Sequence, residues 1–261
     1  MELLKSKKLP VSVIVITKNE EKRLASCLES VSFAEDIVVL DSGSQDKTIE
    51  IAKSFGCRVF VEEWKGSGLQ RQSAVEKTLY KWVLNIDADE RIPYETAEVI
   101  MNIVKNPQAS AYSFPRKNIF RGKWIKHCGW WPDRVTRLFD KDKGRFKPVM
   151  AHPQWVTEGK VINLNVPIEH YSFENYSHMI NKLNQFSTAT ARQLFEEGVR
   201  VTPFSPFLHG WWMFTRSYFL RLGILDGLDG FIISLLSAGG SFFKYAKLLE
   251  LQKHERSTYR S

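Results

Sequence analysis

Three short polar runs hold the residue types that could do chemistry: Thr17-Lys18-Asn19-Glu20, Asp41-Ser42-Gly43-Ser44 and Asp87-Ala88-Asp89-Glu90. Asp87 and Asp89 are two apart, so on an extended strand end both carboxylates can share a face, as the hard oxygen ligands of Mg2+ or Mn2+ require. An ion held by one or two carboxylates completes its shell with substrate phosphates, which points to a nucleoside diphosphate as second partner. Each run alone has a plainer reading, Asp41-Ser-Gly-Ser as a turn and Asp87-Ala-Asp-Glu as a solvated acidic loop. Their shared position favours a site.

That position comes from the elements around them. Residues 11–16, 37–40, 58–61 and 82–86 are short, β-branched and apolar, and read as strands. Asn19 reads as the N-cap of a helix carrying Leu24, Cys27, Leu28 and Val31; Asp46 opens a helix over 47–55 that Gly56 closes; a third covers about 70–80. Strands separated by single helices imply right-handed crossovers and an α/β fold, a mostly parallel sheet flanked by helices. Ligands bind such sheets at the carboxyl ends of the strands, and the three runs follow strands one, two and four.

The chain has 261 residues, 43% of them hydrophobic, which excludes a disordered polymer. Its net charge of +8 is uneven: residues 1–100 carry 14 basic and 17 acidic side chains, residues 101–261 carry 23 and 12, and the window 116–147 alone has 11 against three. Cys27, Cys57 and Cys128 are too scattered for a disulfide framework or a zinc site, which suits a reducing compartment. No apolar run follows the N-terminal lysines, so no secretory signal is expected.

The basic window also holds Trp124, Trp130 and Trp131. Aromatic faces stack on sugar rings, and Arg134 or Arg137 can pair with phosphate or carboxylate groups. Basic residues among aromatics also describe a nucleic-acid surface, although no nucleic-acid motif stands here, and a solvated face over core tryptophans is the third reading. A strand pair is expected around Gly159, over 156–157 and 161–164, then a helix over 177–197 with Met179, Leu183, Phe186 and Leu194 on one side and Gly198 as its stop. Residues 204–243 are rich in Phe, Trp and Leu, yet Arg216, Arg221, Asp226 and Asp229 interrupt them, and the longest uncharged run, 230–243, has 14 residues. A span needs ~20, so this segment is expected to lie in a membrane interface, dip into it shallowly, or pack on protein. Lys244, Lys247, Lys253 and Arg256 behind it suit anionic headgroups.

Val13-Ile-Val-Ile-Thr-Lys-Asn-Glu-Glu, Ile37-Val-Val-Leu-Asp-Ser-Gly-Ser-Gln-Asp-Lys-Thr and Trp82-Val-Leu-Asn-Ile-Asp-Ala-Asp-Glu together resemble the inverting, nucleotide-sugar-dependent glycosyltransferases of family 2, which have the GT-A (Rossmann-like) fold. Trp131-Pro-Asp-Arg-Val-Thr-Arg-Leu-Phe, Glu169-His-Tyr-Ser and Leu225-Asp-Gly-Leu-Asp-Gly-Phe extend the resemblance to the branch that includes lipopolysaccharide core β-glucosyltransferases. The resemblance implies a nucleotide-sugar-binding half over 1–115, an acceptor-binding and catalytic half over 116–200, and a helical, membrane-interfacial extension over 201–261. It implies that Thr17, Asn19 and Glu20 line the nucleotide pocket, that Asp41 hydrogen-bonds the base with Ser42 beside it, and that Arg71 lies near the donor. Asp87 would contact ribose or metal-bound water, and Asp89 would ligate the Mg2+ or Mn2+ that bridges the diphosphate.

Inverting transfer needs a carboxylate to take the acceptor hydroxyl's proton. Asp133 is the candidate, with Glu158 and Glu169 in reserve; a turn after Pro132, or an ion pair with Arg134 or Arg137, is its alternative reading. Trp130, Trp131, Arg134 and Arg137 are the candidate acceptor contacts. His170 resembles a position that adds a metal or diphosphate contact, against an ordinary packed histidine. Ala151-His152-Pro153-Gln154 departs from the His-Glu pair of related sequences. The activity implied is transfer of glucose from UDP-glucose to a lipopolysaccharide core or other lipid-linked saccharide, at the cytoplasmic face of the inner membrane. A polyprenyl phosphate acceptor is the alternative within the family, and a nucleic-acid-binding module the alternative outside it.

Overall fold

The computed structural model describes residues 8–149 and 154–258, with side chains described to residue 254. Two compact units result, residues 1–117 with 133–171, and residues 118–132 with 172–261. In chain order the strands are β1 Leu9–Thr17, β2 Ala34–Asp41, β3 Arg58–Val61, β4 Trp82–Asp87, β5 Glu90–Arg91, β6 Ala111–Phe120, β7 Lys123–Trp124, β8 Asp133–Asp140, β9 Gly144–Phe146, β10 Trp155–Thr157, β11 Val161–Asn163 and β12 Ile168–Phe173. The α-helices are α1 Leu24–Ser30, α2 Thr48–Ser54, α3 Ser67–Glu76, α4 Tyr94–Lys105, α5 Tyr176–Glu196, α6 Ser205–Thr215 and α7 Gly227–Thr258.

The first unit is a mixed sheet flanked by helices. Its order runs β3-β2-β1-β4-β8-β6, with β12 and β5 beyond. The first four strands are parallel, and β8 then lies antiparallel to both β4 and β6. Strand β1 reads Leu-Pro-Val-Ser-Val-Ile-Val-Ile-Thr and is buried on both faces, as a central parallel strand must be. One face packs Val13, Val15, Leu84 and Ile86 under α1 and α4; the other packs Ile14, Val38, Val83 and Phe139 under α3 and Trp155. Gly68 in α3 is required by closeness, since a Cβ there would lie 1.8 Å from the Lys147 carbonyl oxygen.

Three expectations shift. Asn19 does not cap α1, which starts at Leu24 behind Arg23. It stands in the left-handed region at φ 57°, which Asn tolerates, and its side chain accepts from the Gln45 amide at 2.8 Å. The helix expected over 70–80 spans Ser67–Glu76, because the 66–68 turn starts it earlier. The strands flanking Gly159 do not pair with each other: β10 joins β9 antiparallel, and β11 joins β6 in parallel register. The three cysteines are free and buried.

In the second unit, β7 folds back on the end of β6, and Phe120, Ile125, Cys128, Met179 and Ile233 form a separate core. Helix α5 begins at Asn175, whose side chain accepts from the His178 amide, and stops at Gly198 with φ 79°.

Phe139 has no exposure and stacks on Trp155 at 3.8 Å between ring centres. Phe139→Ala is expected to cost about 3–5 kcal/mol in urea unfolding, because the sheet face beneath cannot close over the hole. A loss under about 1 kcal/mol would show that it can.

Candidate active site

The first two polar loops are tied together before any ligand is considered. The Thr17 hydroxyl donates to Asp41 Oδ2 at 2.8 Å, and Asp41 Oδ1 accepts from the Gly43 and Ser44 amides at 2.9 and 2.7 Å. The Asn19 amide donates to Ser44 Oγ and the Glu20 amide to Thr48 Oγ1. Asp41 has no exposure, and with its oxygens on Thr17, Gly43 and Ser44 its carboxylate braces this rim from beneath. The Ser42 hydroxyl, buried beside it, has no hydrogen-bond partner among the described residues.

The third loop holds the charge. Asp87 ends β4, and its carboxylate accepts from Arg71 through Oδ1 and from Arg137 through Oδ2 at 2.5 Å. Arg137 also reaches Glu90 Oε1 at 2.6 Å, and Glu90 Oε2 accepts from the Asp87 amide at 3.0 Å. Arg116 continues the chain, 3.7 Å from Glu90 and doubly hydrogen-bonded to Asp133 Oδ2. Three arginines thus alternate with three carboxylates. Burial works against the Asp87 charge, but Arg137 and Arg71 overcome it and hold the carboxyl well below the usual carboxylate range. The same carboxylates keep the buried Arg137 guanidinium protonated.

Arg137 is 5% exposed, so the acceptor contact expected of it gives way to holding the two carboxylates. The ion-pair partner expected for Asp133 was Arg134 or Arg137; it is Arg116, which the antiparallel register sets opposite. Arg134 is exposed and donates to the Leu164 carbonyl at 2.7 Å. The basic window is therefore largely consumed internally, with Lys117 on Glu169, Lys123 on Asp229 and Lys141 on the Thr78 carbonyl.

Asp89 follows in the turn before β5. Its Oδ2 lies 3.6 Å from His170 Nε2 and 3.8 Å from Arg23, and its carbonyl accepts from the Tyr171 amide at 2.8 Å. Strand β12 pairs with β5 and brings His170 there across some eighty residues. A carboxylate and an imidazole at this separation are a mixed oxygen and nitrogen donor pair that suits Mn2+, whereas Mg2+ would use the Asp89 carboxylate alone. Among the described residues no cluster of three or more ligating side chains exists, so an ion here would take its remaining ligands from phosphate and water.

A cavity of about 470 Å3 opens beside Asp87, lined also by Arg71, Asn85, Asp133, Arg137 and Trp155. Asn85 Oδ1, Arg71 Nε, Arg137 Nε and Trp155 Nε1 are buried there without hydrogen-bond partners among the described residues. Sequence reading missed Asn85, Arg116 and Trp155, and gave Glu90 no role beyond its place in the third polar run. A signal existed for Asn85, a polar residue in an apolar strand with the same parity as Asp87; Trp155 had none. In the second unit, Trp130 packs on Phe173 and Trp131 meets Trp124 edge-on at 5.1 Å. Glu158 is exposed, and Glu169 is held by Lys117 and Tyr171. His152 lies outside the described residues.

The model of glycosyl transferase family 2 matches residues 12–173. The chain is 31% identical to an uncharacterised glycosyltransferase of Rickettsia typhi, over 96% of this chain and 90% of that one. It is also 31% identical to the lipopolysaccharide core biosynthesis glycosyltransferase LpsC of Rhizobium meliloti, over 93% of both. The crystal structure of S. aureus TarS in complex with UDP is 14% identical, with a TM-score of 0.48 over 95% of this chain and 92% of that one.

Because its folded pKa is depressed, Asp87 contributes stability in full above its ordinary value near about 3.9 and loses it as the pH falls below that. Asp87→Asn should lower stability at neutral pH, by leaving Arg137 with Glu90 as its one ion-pair partner among the described residues, and flatten the acid limb of urea midpoint against pH. An acid limb as steep as that of the parent would show that Asp87 is not the group being titrated.

Proposed function

The chain belongs to glycosyl transferase family 2, and from that premise we propose that it moves a hexose, glucose from UDP-glucose, with inversion onto a lipopolysaccharide core or other lipid-linked saccharide at the cytoplasmic face of the inner membrane. The observation that carries this is the pair of Asp89, in the turn after β4, and His170 of β12, 3.6 Å apart, two residues along the chain from Asp87, which lines a cavity large enough for a sugar. The similarity to LpsC supports a core acceptor over polyprenyl phosphate.

The roles follow from position. The 17–20 and 41–44 loops, braced by Thr17–Asp41 and Asn19–Ser44, form the edge against which the nucleoside rests. Asp89 and His170 would hold the divalent ion, which when bound neutralises the departing diphosphate. Arg71 adds a fixed positive charge near the same group, and Arg137 fixes Asp87 so that its charge does not wander. Three unpartnered N–H donors and the Asn85 carbonyl match the mixed donor and acceptor character of hexose hydroxyls. Asp133 at the cavity wall takes the proton of the acceptor hydroxyl as that oxygen bonds to the anomeric carbon, and the C–O bond to the diphosphate breaks on the opposite side. Arg116 orients the Asp133 carboxylate. Trp130 and Trp131 are the candidate stacking faces for acceptor sugars.

Titration calorimetry with UDP, UDP-glucose, UDP-galactose, ADP and GDP, with and without Mn2+, tests the donor. Metal-dependent binding of one uridine nucleotide is expected, and Asp89→Ala should abolish the metal-dependent part; full metal-dependent turnover in that variant would overturn the assignment. Asp133→Asn should cut turnover by about 10^2–10^4-fold while leaving UDP affinity intact. If Glu169→Gln is the variant that does so, the base is misassigned.

A further inference from the structure

Helix α7 with the turn before it, residues 223–254, is long and apolar enough to cross a membrane, with a mean hydropathy of 1.3 over its most apolar 18-residue window. What lies along it argues otherwise. Helix α5 runs beside α7 within the second unit, with Met179 on Ile233 and Leu183 against Gly240. Farther on, the Lys247 ammonium donates to the Asn184 side chain, Ser187 and Thr188 at 2.7–2.9 Å. Gln252 closes the series on Val199 and Val201. The outer face of α5 exposes Asn181, Gln185, Arg192, Gln193 and Glu196. A spanning α7 would carry these side chains into hydrocarbon, where each is costly.

The apolar surface is concentrated elsewhere in this unit, on α6 and the turn that leads to α7. Phe204, Phe207, Leu208, Trp211 and Trp212 form one face of α6, with Trp211 at 68% exposure. The opposite face is buried through Pro206 and Gly210, where a Cβ would come within 3.2 Å of Phe242. The turn adds Leu220, Leu225 and Leu228, at 64, 65 and 74%. So large an unpartnered patch on a single unit marks an interaction surface.

The charges identify what it meets. Both acids of the turn face inward: Asp226 is 4% exposed and accepts from the His127 amide and ring, while Asp229 is held by Tyr176 and Lys123. The cations Arg216 and Arg221 are exposed at the two ends of the π-turn inside the patch. Aromatic and leucine side chains, interspersed with outward cations and relieved of outward acids, are complementary to an anionic phospholipid surface.

We propose that α6 and the α6–α7 turn insert as a monotopic wedge into one leaflet of an anionic bilayer, and that α7 is the wedge's scaffold, lying on the membrane without crossing it. This deepens the membrane-surface reading above and rests on it. The site it adds is a lipid-binding face formed by Trp211, Leu225 and Leu228 with Arg216 and Arg221 as headgroup contacts.

The full chain would be floated with vesicles of three parts phosphatidylethanolamine to one part phosphatidylglycerol, and separately with pure phosphatidylcholine vesicles. Binding is expected on the anionic vesicles, falling at least about tenfold in Trp211→Glu/Leu225→Glu, and falling in Arg216→Gln/Arg221→Gln on the anionic vesicles only. Alkaline carbonate should strip the bound protein. Retention after carbonate would mean that α7 spans, and undiminished flotation of the Trp211→Glu/Leu225→Glu variant would mean that the patch does not touch lipid; either overturns the proposal. So would a parent that ignores both vesicles but is dimeric by light scattering and becomes monomeric in that variant, since the occupant would then be a second copy. UDP binding equal in parent and variants reports an intact fold. Absence of nucleotide binding in the parent would count against the transferase reading while leaving the flotation result standing.

Discussion

The Arg137 guanidinium between Asp87 and Glu90 is the constraint on which the rest of the first unit turns. A buried charge without partners is strongly unfavourable, so once Arg137 lies on β8 next to β4, both carboxylates must be delivered to it. Asp87 is delivered by the end of β4 and Glu90 by the tight turn behind it, and Asp89 lies on that turn between them. Arg116 and Arg71 complete the alternation from β6 and α3. The parallel half of the sheet, which supplies the 17–20 and 41–44 loops, is thereby joined by charge to the antiparallel half, which supplies Asp133. The positions that the proposed transfer would need held within fractions of an ångström are tied to groups that cannot relax without exposing a bare charge.

A second economy appears in the loops. Asp41 looks like a ligand-binding residue, yet its oxygens are used on Thr17, Gly43 and Ser44. Its work is to hold two loop backbones at a fixed separation. Among the described residues, Ser42 Oγ and the unpartnered atoms of Asn85, Arg71, Arg137 and Trp155 are where buried hydrogen-bonding capacity is left unused.

The second unit separates its charges in the opposite sense. Asp226 and Asp229 turn inward onto His127, Lys123 and Tyr176, while the large apolar side chains of α6 and of the turn after it stay exposed. The proposed lipid face rests on that polarity.

Much was legible from residue order alone. The β-strand and helix alternation up to Asp89, the three polar runs at strand ends and the family resemblance all depend on local patterns, in which side-chain period and turn chemistry act over a few residues. The ambiguity of residues 204–243 was also visible, since composition argued against a plain span and left an interfacial segment and packing on protein both open. What residue order could not decide was pairing across distance. Arg137 read as an acceptor contact because its burial depends on β8 lying beside β4; Asp133 was matched with its sequence neighbours because only the β6–β8 register sets Arg116 opposite; His170 reached Asp89 only through the β12–β5 pairing. Asn19 read as a cap because the Gln45 amide that claims it lies 26 residues on. Local free energies determined which elements form. Which charges neutralise one another was settled by the tertiary structure, because electrostatic partnership depends on separation in space and on exclusion of water, and neither is encoded in any short stretch of chain.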